Sequence, residues 1–292
     1  MPELPDLSIL ADAFQAALTG RHLASAEAPG PLTVRGTPAE LEALAGQRLL
    51  RFYRRGKFLW LDFERDRMVI NAMLTGRLQL AADSSVKKLQ KTQFIMRFGT
   101  RTAPPADVEP WTVGAAWIPP LDATPELRYR DPTQMGKVYL LPRGIERPVP
   151  GTGPSEIGPD ADDPALTLDV WRARIRRHPG ELKNLLRNQE FVAGIGNAYS
   201  DEILHAARLL PSRKRGTLAP EEVDELYAAT RSTLANAIAV LRDRVPPTFE
   251  TEVRDFVAVH NRGGAECPRC GKRIAQTEAG GFTTSYCRHC QH

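Results

Sequence analysis

Residues 188–213 read NQEFVAGIGNAYSDEILHAARLLPSR, and this stretch carries the clearest structural signal in the chain. The glycines at 194 and 196 predict a tight turn that leads into a helix over 198–207. The neighbouring sequence keeps the same helical period. Further helices are predicted over 168–177, 182–188 and 220–245. We therefore expect a helical domain over 167–258.

The part of the chain before residue 148 follows a different pattern. An apolar stripe predicts a first helix over 6–18, and short runs of β-branched and aromatic residues then alternate with turns. Strands are predicted over 57–63, 68–74, 77–80, 92–98, 126–129 and 137–141. The pattern favours an antiparallel sandwich or barrel over 1–147. Residues 100–125 are rich in proline and are expected to be mostly loop, and residues 148–166 are expected to be a linker.

All four cysteines lie near the C-terminus, in two pairs. Cys267 and Cys270 form one C-x2-C pair, and Cys287 and Cys290 form another after sixteen intervening residues. This spacing is typical of a tetrahedral site in which four thiolates hold one structural Zn²⁺. Two disulfides or a redox dithiol are the alternatives, and both fit a reducing compartment less well. A four-cysteine zinc finger is therefore predicted over 259–292.

Composition excludes several classes of protein. The 292 residues are 42% hydrophobic and 25% charged, which is too apolar for general disorder. No run of about 18 uncharged apolar residues indicates a membrane span. The first six residues, MPELPD, are acidic and interrupted by proline, unlike a signal peptide. We expect a cytoplasmic, nucleoid-associated protein without membrane contact.

Charge is unevenly distributed along the chain, although its net value is only +4. Residues 156–169 contain five acids and no base, whereas residues 171–187 contain six Lys or Arg and one acid. Basic clusters of this kind suit a phosphate backbone, because ion pairing releases its counterions. Solvated helix faces would produce the same pattern, so charge alone leaves both interpretations open.

Four motifs together resemble the formamidopyrimidine-DNA glycosylase/endonuclease VIII family of base-excision repair enzymes. They are MPELPD at the N-terminus, RRGK at 54–57, the stretch at 188–213 and the terminal C-x2-C-x16-C-x2-CQ, in the order that the family has them. The resemblance implies an α+β fold with an N-terminal β-sandwich and flanking helix. A helix-two-turn-helix domain with a zinc β-hairpin would follow, and damaged DNA would lie between the two parts with one base flipped out. It also implies a monomer without a nucleotide cofactor.

The resemblance assigns catalytic roles to four residues. After removal of Met1, Pro2 would attack the sugar carbon C1′ through its secondary amine and form a Schiff base, which permits β- and δ-elimination. Glu3 would act as general acid, Lys57 would bind the phosphate beside the lesion, and Glu202 would help to hold the N-terminal site. Without the resemblance, a proline at position 2 would indicate only a flexible tail.

Further residues are expected to contact DNA. Asn197 would bind a phosphate with the backbone N–H groups of the glycine turn, and Lys183 and Arg262 are additional phosphate candidates. Met73 matches one of the side chains that fill the gap left by the flipped base.

The chain departs from the family pattern at three of the expected DNA contacts. Phe282 stands where relatives usually have an arginine on the zinc hairpin, and a phenyl ring cannot bind a phosphate through charge. Thr133 and Met135 stand where an arginine and a phenylalanine would fill the gap in the duplex. Methionine can still wedge between bases, but threonine cannot make a bidentate contact with the opposite base. A preference for 8-oxoguanine opposite cytosine is therefore not expected.

These departures leave a second functional interpretation open. A protein that binds damaged DNA with weak or no catalysis would keep the DNA-binding motifs, and a sequence-specific transcription factor would be a third possibility. Trapping of a Schiff base on abasic DNA distinguishes the first two. The preferred damaged base does not follow from the sequence.

Overall fold

The computed structural model describes residues 1–30, 32–103, 111 and 115–292. Residues 104–110 and 112–114 of the predicted proline-rich loop lie outside the described residues. The chain divides into two compact units. One consists of Met1–Pro2, Asp6–Pro150 and Val240–Val253, and the other of Glu3–Pro5, Gly151–Ala239 and Arg254–His292.

The first unit is built on two β-sheets. Its strands are β1 (Leu23–Glu27), β2 (Val34–Arg35), β3 (Leu49–Arg55), β4 (Phe58–Phe63), β5 (Arg67–Asn71), β6 (Arg77–Ala81), β7 (Thr92–Phe98), β8 (Glu126–Arg130) and β9 (Lys137–Leu141). One sheet has the order β1-β7-β8-β6, and the other has the order β2-β9-β5-β4-β3. All neighbours are antiparallel except β2 and β9. The predicted β-sandwich with a flanking helix is confirmed.

Helix α1 (Leu4–Leu18) packs its apolar stripe against this unit. The Phe14 ring lies 5.4 Å from the Phe52 ring and 5.0 Å from the Phe249 ring, measured between centroids. A short helix, α2 (Pro38–Glu42), begins with a capping box at Thr37. The sequence analysis did not predict α2, because a single turn has too few residues to show a period.

Differences between the predicted and observed strands have local causes. β5 ends at Asn71 and not at Leu74, because Met73 has a φ of +49° and begins a turn. Lys57 was predicted on a strand but lies in the turn between β3 and β4, after Gly56 with a φ of +56°. β1 was missed because its sequence, LASAE, has small and polar residues in place of an apolar alternation.

The second unit is mainly helical. Its helices are α3 (Leu168–Ile175), α4 (Leu182–Arg187), α5 (Asn197–Ala206) and α6 (Pro220–Arg244), the last of which belongs to this unit as far as Ala239. Trp171 is fully buried at the core, with its ring 4.8 Å from Phe191 and 5.7 Å from Tyr227. None of the helices in the described residues combines the length and the apolar character needed to cross a membrane. The predicted helical domain is confirmed.

A β-hairpin completes the second unit. Strands β10 (Ala275–Ala279) and β11 (Phe282–Tyr286) pair antiparallel and are joined by Gly280 and Gly281. These glycines have φ values of +58° and +77°, as the tightest hairpin turns require. The cysteine pairs flank the hairpin on both sides.

Most of the segment predicted as a linker is part of the second unit. The amide of Gly158 donates to the Gln189 carbonyl at 2.8 Å, and the amide of Ala161 donates to the Ala193 carbonyl at 3.1 Å. Ala161 is fully buried. The proline and glycine content therefore marks a packed loop here, which the sequence alone does not distinguish from a linker.

Candidate functional site

The Glu3 carboxylate is buried at the N-terminal end of α5. One of its oxygens accepts hydrogen bonds from the amides of Gly196 at 2.7 Å and Tyr199 at 3.2 Å, and the other accepts from Ala198 at 2.8 Å. The first amides of a helix have no partner within the helix and point outward with the positive end of its dipole. A carboxylate is suited to this position because it only accepts hydrogen bonds.

The glycine turn before α5 makes room for the N-terminal residues. A β-carbon at Gly196 would lie 2.5 Å from the Glu3 carboxyl carbon, and one at Gly194 would lie 2.7 Å from the Leu4 β-carbon. The Leu4 amide also donates to the Gly194 carbonyl at 2.9 Å. The predicted turn therefore fixes residues 3 and 4 as well as starting a helix.

Pro2 precedes this anchored glutamate and is itself buried. The N-terminal nitrogen of Met1 lies 3.7 Å from a carboxylate oxygen of Glu252, within the first unit. While Met1 is attached, the Pro2 nitrogen is an amide and cannot act as a nucleophile. Removal of Met1 would leave the secondary amine of Pro2 next to Glu3 in the chain.

Glu202 binds the backbone of the segment that precedes the hairpin. Its carboxylate accepts hydrogen bonds from the amides of Ala258 at 2.6 Å, Val259 at 2.9 Å and His260 at 2.8 Å. Burial raises the Glu202 pKa, and these three hydrogen bonds oppose the rise. Glu202 therefore anchors the segment before the β-hairpin, and its predicted role at the N-terminal site stays a prediction.

Asp201 is a buried residue that the sequence analysis missed. Its carboxylate pairs with the Lys183 ammonium at 2.6 Å and with the Nδ1 of His260 at 2.8 Å, and it accepts from the Ser285 amide at 3.2 Å. The only signal in the sequence was a pair of adjacent acids in an otherwise apolar helix, which did not reveal that both are buried. Asp201 links α5, α4 and the hairpin.

Lys183 is accordingly less accessible than a phosphate ligand usually is. The side chain is 4% exposed, and its ammonium donates to Asp201 and to the Thr283 carbonyl at 2.9 Å. Burial lowers the Lys183 pKa below its ordinary value, and the Asp201 charge opposes this shift without reversing it. Two of the three N–H donors are thus used within the protein.

Asn197 and the start of β11 lie beside this ion pair. The Asn197 side-chain amide donates to the Thr283 carbonyl at 2.9 Å, and its Oδ1 is buried without a partner in the described part of the chain. Phe282 is 42% exposed, and the Arg187 guanidinium lies 3.8 Å above its ring centre. The second unit therefore holds an amide, a cation and an aromatic ring around one strand end.

Arg262 remains accessible in the same unit. It is an exposed residue, and one nitrogen of its guanidinium donates to the Val257 carbonyl at 2.8 Å. This bond orients the side chain and leaves other N–H donors for a ligand.

The turn and loop predicted to fill a gap in the duplex are joined by Asp131. This buried carboxylate accepts hydrogen bonds from the Thr75 hydroxyl at 2.5 Å, the Thr133 hydroxyl at 3.1 Å and the Gly136 amide at 2.7 Å. Burial would raise the Asp131 pKa, but these hydrogen bonds outweigh it and lower the pKa below its ordinary value. Met135 is 44% exposed on the loop. The network holds a methionine outward and turns the Thr133 hydroxyl inward.

Lys57 and its neighbours form a separate basic turn in the first unit. Lys57 is half-buried, and the Arg54 guanidinium donates to the Ser8 hydroxyl at 2.9 Å and to the Gly56 carbonyl at 3.2 Å. The tight turn presents Lys57 between two strands, which limits the positions that its ammonium can reach.

The four cysteines form a compact group that could hold a metal ion. Their sulfur atoms all lie within 4.8 Å of one another, with 3.9 Å between Cys267 and Cys290 and 3.6 Å between Cys270 and Cys287. A tetrahedral zinc–thiolate site with bonds of about 2.3 Å has sulfur atoms about 3.8 Å apart. The donor atoms therefore fit Zn²⁺.

Contacts around the cysteines bind this group to α5. The Nε2 of His205 lies 3.3 Å from the Cys267 sulfur, and burial lowers the His205 pKa to about 4, which favours the neutral ring. Arg269 donates to the His205 carbonyl at 2.8 Å and so caps the C-terminal end of α5. One helix thus connects the N-terminal residues to the cysteine group.

Two family models match this chain. Residues 1–138 match the formamidopyrimidine-DNA glycosylase N-terminal domain, and residues 157–245 match the formamidopyrimidine-DNA glycosylase H2TH domain. Curated relatives match over the whole chain. A formamidopyrimidine-DNA glycosylase of Pelotomaculum thermopropionicum is 30% identical, over 100% of this chain and 99% of the relative. One of Heliobacterium modesticaldum is 31% identical, over 100% of both.

Solved structures share the fold. The Lactococcus lactis Fpg in complex with an abasic site containing DNA has a TM-score of 0.81 at 22% identity, over 99% of each chain. The MutM (Fpg) protein of Thermus thermophilus has a TM-score of 0.77 at 27% identity, over 99% of this chain and 98% of that one.

Proposed function

The chain belongs to the formamidopyrimidine-DNA glycosylase family, a family of DNA-repair glycosylases with abasic-site lyase activity, and we propose from this premise that Pro2 is its nucleophile. Both activities would use one covalent intermediate. The substrate would be DNA with a damaged base, including DNA that has already lost the base.

The proposed reaction proceeds through a Schiff base. The Pro2 nitrogen forms a bond to C1′ while the bond from C1′ to the base breaks, and the sugar ring opens as its oxygen takes a proton. The resulting iminium makes a 2′ hydrogen acidic, so that loss of this proton breaks the C3′–O bond in β-elimination. A second elimination breaks the C5′–O bond. Glu3 would exchange the ring-oxygen proton as general acid, because its carboxylate is attached to the residue that follows the nucleophile.

One observation carries the proposal, namely the hydrogen bonds from the start of α5 to the Glu3 carboxylate. Three backbone amides fix this carboxylate, and Pro2 is its neighbour in the chain, so the reacting amine is attached to an anchored residue. Such positioning reduces the entropy lost on reaching the transition state. A terminal proline without this anchor would be a mobile tail.

Several residues would hold the DNA. We assign phosphate contacts to Lys57, Asn197 and Arg262, and we assign the gap left by the flipped base to Met73 and Met135. Lys183 would contribute through its buried ion pair with Asp201 and its hydrogen bond to the Thr283 carbonyl more than through a direct contact with DNA. Thr133 would not read the opposite base, since its hydroxyl is bound to Asp131.

The cysteine group would hold one structural Zn²⁺. When bound, the ion supplies crosslinking of the two cysteine pairs and no chemistry at the sugar, because four thiolates fill its coordination sphere. We further propose that the protein acts as a monomer in the cytoplasm at the nucleoid. No nucleotide cofactor enters this mechanism.

Borohydride trapping tests the proposal. The protein without Met1 is incubated with a duplex that contains one abasic site, and borohydride reduces any iminium to a stable adduct. We expect one protein–DNA adduct and, without borohydride, strands cut on both sides of the lost sugar. Full trapping by protein that retains Met1, in which the Pro2 nitrogen is an amide, would oppose the assignment.

A damaged-DNA-binding protein with weak or no catalysis is the second candidate. The observation that favours it is Phe282, which occupies a position where relatives usually have an arginine. This candidate predicts tight binding to abasic DNA without adduct formation or strand cleavage, so the same experiment separates the two.

A further inference from the structure

Arg187 is a cation whose side-chain hydrogen-bond donors are not used by any of the residues that the structure describes. It ends α4, and its guanidinium lies 3.8 Å above the centre of the Phe282 ring. Within the described residues, the guanidinium has neither a hydrogen-bond acceptor nor a carboxylate in an ion pair. A guanidinium carries five N–H donors in a planar fork. This fork is thus oriented by the aromatic ring and available for a ligand.

The contacts of Phe282 and Thr283 relate Arg187 to Asn197. Burial lowers the Arg187 pKa below its ordinary value, and the negative charges of Glu3 and Asp201 oppose this shift without reversing it. The carbonyl of Thr283, next to Phe282, is bound by the Asn197 amide. Arg187 and Asn197 therefore approach the same end of β11.

We infer that Arg187 binds a phosphodiester of the DNA strand that carries the lesion, with Phe282 as the residue that positions its guanidinium. The inference rests on the proposed function and names a contact within it. A guanidinium fork matches the oxygens of a phosphate in a bidentate manner. The positive charge that is missing at position 282 of the hairpin is then supplied from α4, and the ring at 282 supports it by a cation–π contact.

The test compares DNA binding by matched variants. The probe is a duplex with a single tetrahydrofuran analogue of an abasic site, and its Kd is measured over a range of salt concentrations. Arg67→Gln is the control, because Arg67 also lies over an aromatic ring, 5.5 Å from Trp60, but is paired with Asp62 at 2.5 Å. Both variants lose one positive charge.

Arg187→Gln should weaken binding roughly tenfold and reduce the slope of log K against log salt by about 0.9, the value for one lost phosphate contact. Arg67→Gln should change neither quantity. An unchanged slope for Arg187→Gln, or an equal effect of the control, would overturn the inference.

Two further variants test the positioning role of Phe282. Phe282→Ala should weaken binding, and combining it with Arg187→Gln should add little, because both changes remove one contact. Phe282→Tyr keeps an aromatic ring and should restore binding. Additive losses in the double variant, or no rescue by tyrosine, would show that the ring does not act through Arg187.

Controls separate this inference from the proposed function. Zinc content and thermal unfolding show whether each variant is folded. If Arg187→Gln does not fold, Arg187→Lys provides the test, because it keeps the positive charge and should retain the salt slope. Loss of the slope in a folded Arg187→Lys variant would count against a phosphate contact. Absence of borohydride trapping by the unmodified chain would refute the Pro2 mechanism, whereas trapping with an unchanged Arg187 slope would refute only the Arg187 contact.

Discussion

At the scale of single residues, the position of Pro2 depends on how closely Glu3 approaches the start of α5. The carboxylate reaches three amides only because residue 196 has no side chain, since a β-carbon there would lie 2.5 Å from the Glu3 carboxyl carbon. The backbone N–H groups at the start of α5 thus bind a buried acid that lies 193 positions earlier in the chain. The position of the proposed nucleophile follows from this contact.

Gly196→Ala should therefore displace Glu3. We expect a loss of about 1–3 kcal/mol in the free energy of unfolding, as for other overpacked sites, and a large fall in the rate of Schiff-base trapping. Gly216→Ala is the matched control, because nothing lies within 4 Å of a β-carbon at that position. Denaturant unfolding and single-turnover trapping measure the two effects. Equal behaviour of the two variants would contradict the proposed role of the Glu3 anchor.

Thr133 leads to a prediction about the base opposite the lesion. A bidentate contact to the correct base contributes about 1–3 kcal/mol of discrimination, and the Thr133 hydroxyl, bound to Asp131, cannot make one. Single-turnover excision rates on duplexes with each of the four opposite bases should therefore differ by less than roughly tenfold. Thr133→Arg should increase the spread. A strong preference for one opposite base in the unmodified chain would show that another residue reads it.

The sequence predicted the chemistry of these residues better than their surroundings. Motif order and the glycine turn were enough to indicate Glu3, Asn197 and the cysteines as candidate site residues. The partners of Glu202 and the burial of Asp201 could not be predicted, because both depend on contacts with residues about 60–80 positions later in the chain. Sequence periodicity describes which face of a helix is apolar, but it does not show which buried acid meets which distant amide.

At the scale of secondary-structure elements, α5 is the central support of the second unit. Glu3 binds its N-terminal end, Arg269 caps its C-terminal end, and Asp201 and Glu202 bind the hairpin and the segment before it. The favourable charge at each end follows the direction of the helix dipole. Glu3 binds the N-terminal amides of α5, whereas Asp201 and Glu202 bind the hairpin and the segment before it. Because these contacts lie at different positions of the helix, a change at the hairpin side need not alter the proposed chemistry at Glu3.

Glu202→Ala tests this division of roles. The substitution leaves three buried amides without an acceptor, which should lower the free energy of unfolding by about 1–3 kcal/mol or more and speed the release of zinc. DNA affinity should fall, while trapping at saturating abasic DNA should persist in protein that remains folded. Zinc release is followed with a chelating dye. Normal zinc retention together with lost trapping would support the catalytic role that the sequence indicated.

At the scale of the whole molecule, the small net charge conceals a segregated distribution. The acidic stretch over 156–169 offsets basic residues elsewhere, so the total of +4 understates the local positive charge available to DNA. Each unit contributes at least one proposed phosphate contact. Affinity for DNA should accordingly depend strongly on salt.

Lys57→Ala tests the contribution of the first unit. Loss of one phosphate contact should weaken binding to undamaged and abasic duplexes to a similar extent, and the salt slope should decrease by about 0.9. Arg48→Ala serves as the control, because Arg48 is an arginine of the same unit that is already paired with Glu64 at 3.2 Å. Binding isotherms at several salt concentrations provide the measurement. A loss confined to one DNA sequence would indicate base recognition in place of a backbone contact.

The location of the covalent bond shows directly whether Pro2 is the nucleophile. Protein that has lost Met1 and the same protein with Met1 retained are each treated with abasic DNA and borohydride, and the adduct is mapped by mass spectrometry of the digested protein. We expect an adduct on the Pro2 nitrogen of the processed protein and none on the form that retains Met1, because its Pro2 nitrogen is an amide. Equal adduct formation by both forms, or an adduct on a lysine, would contradict it.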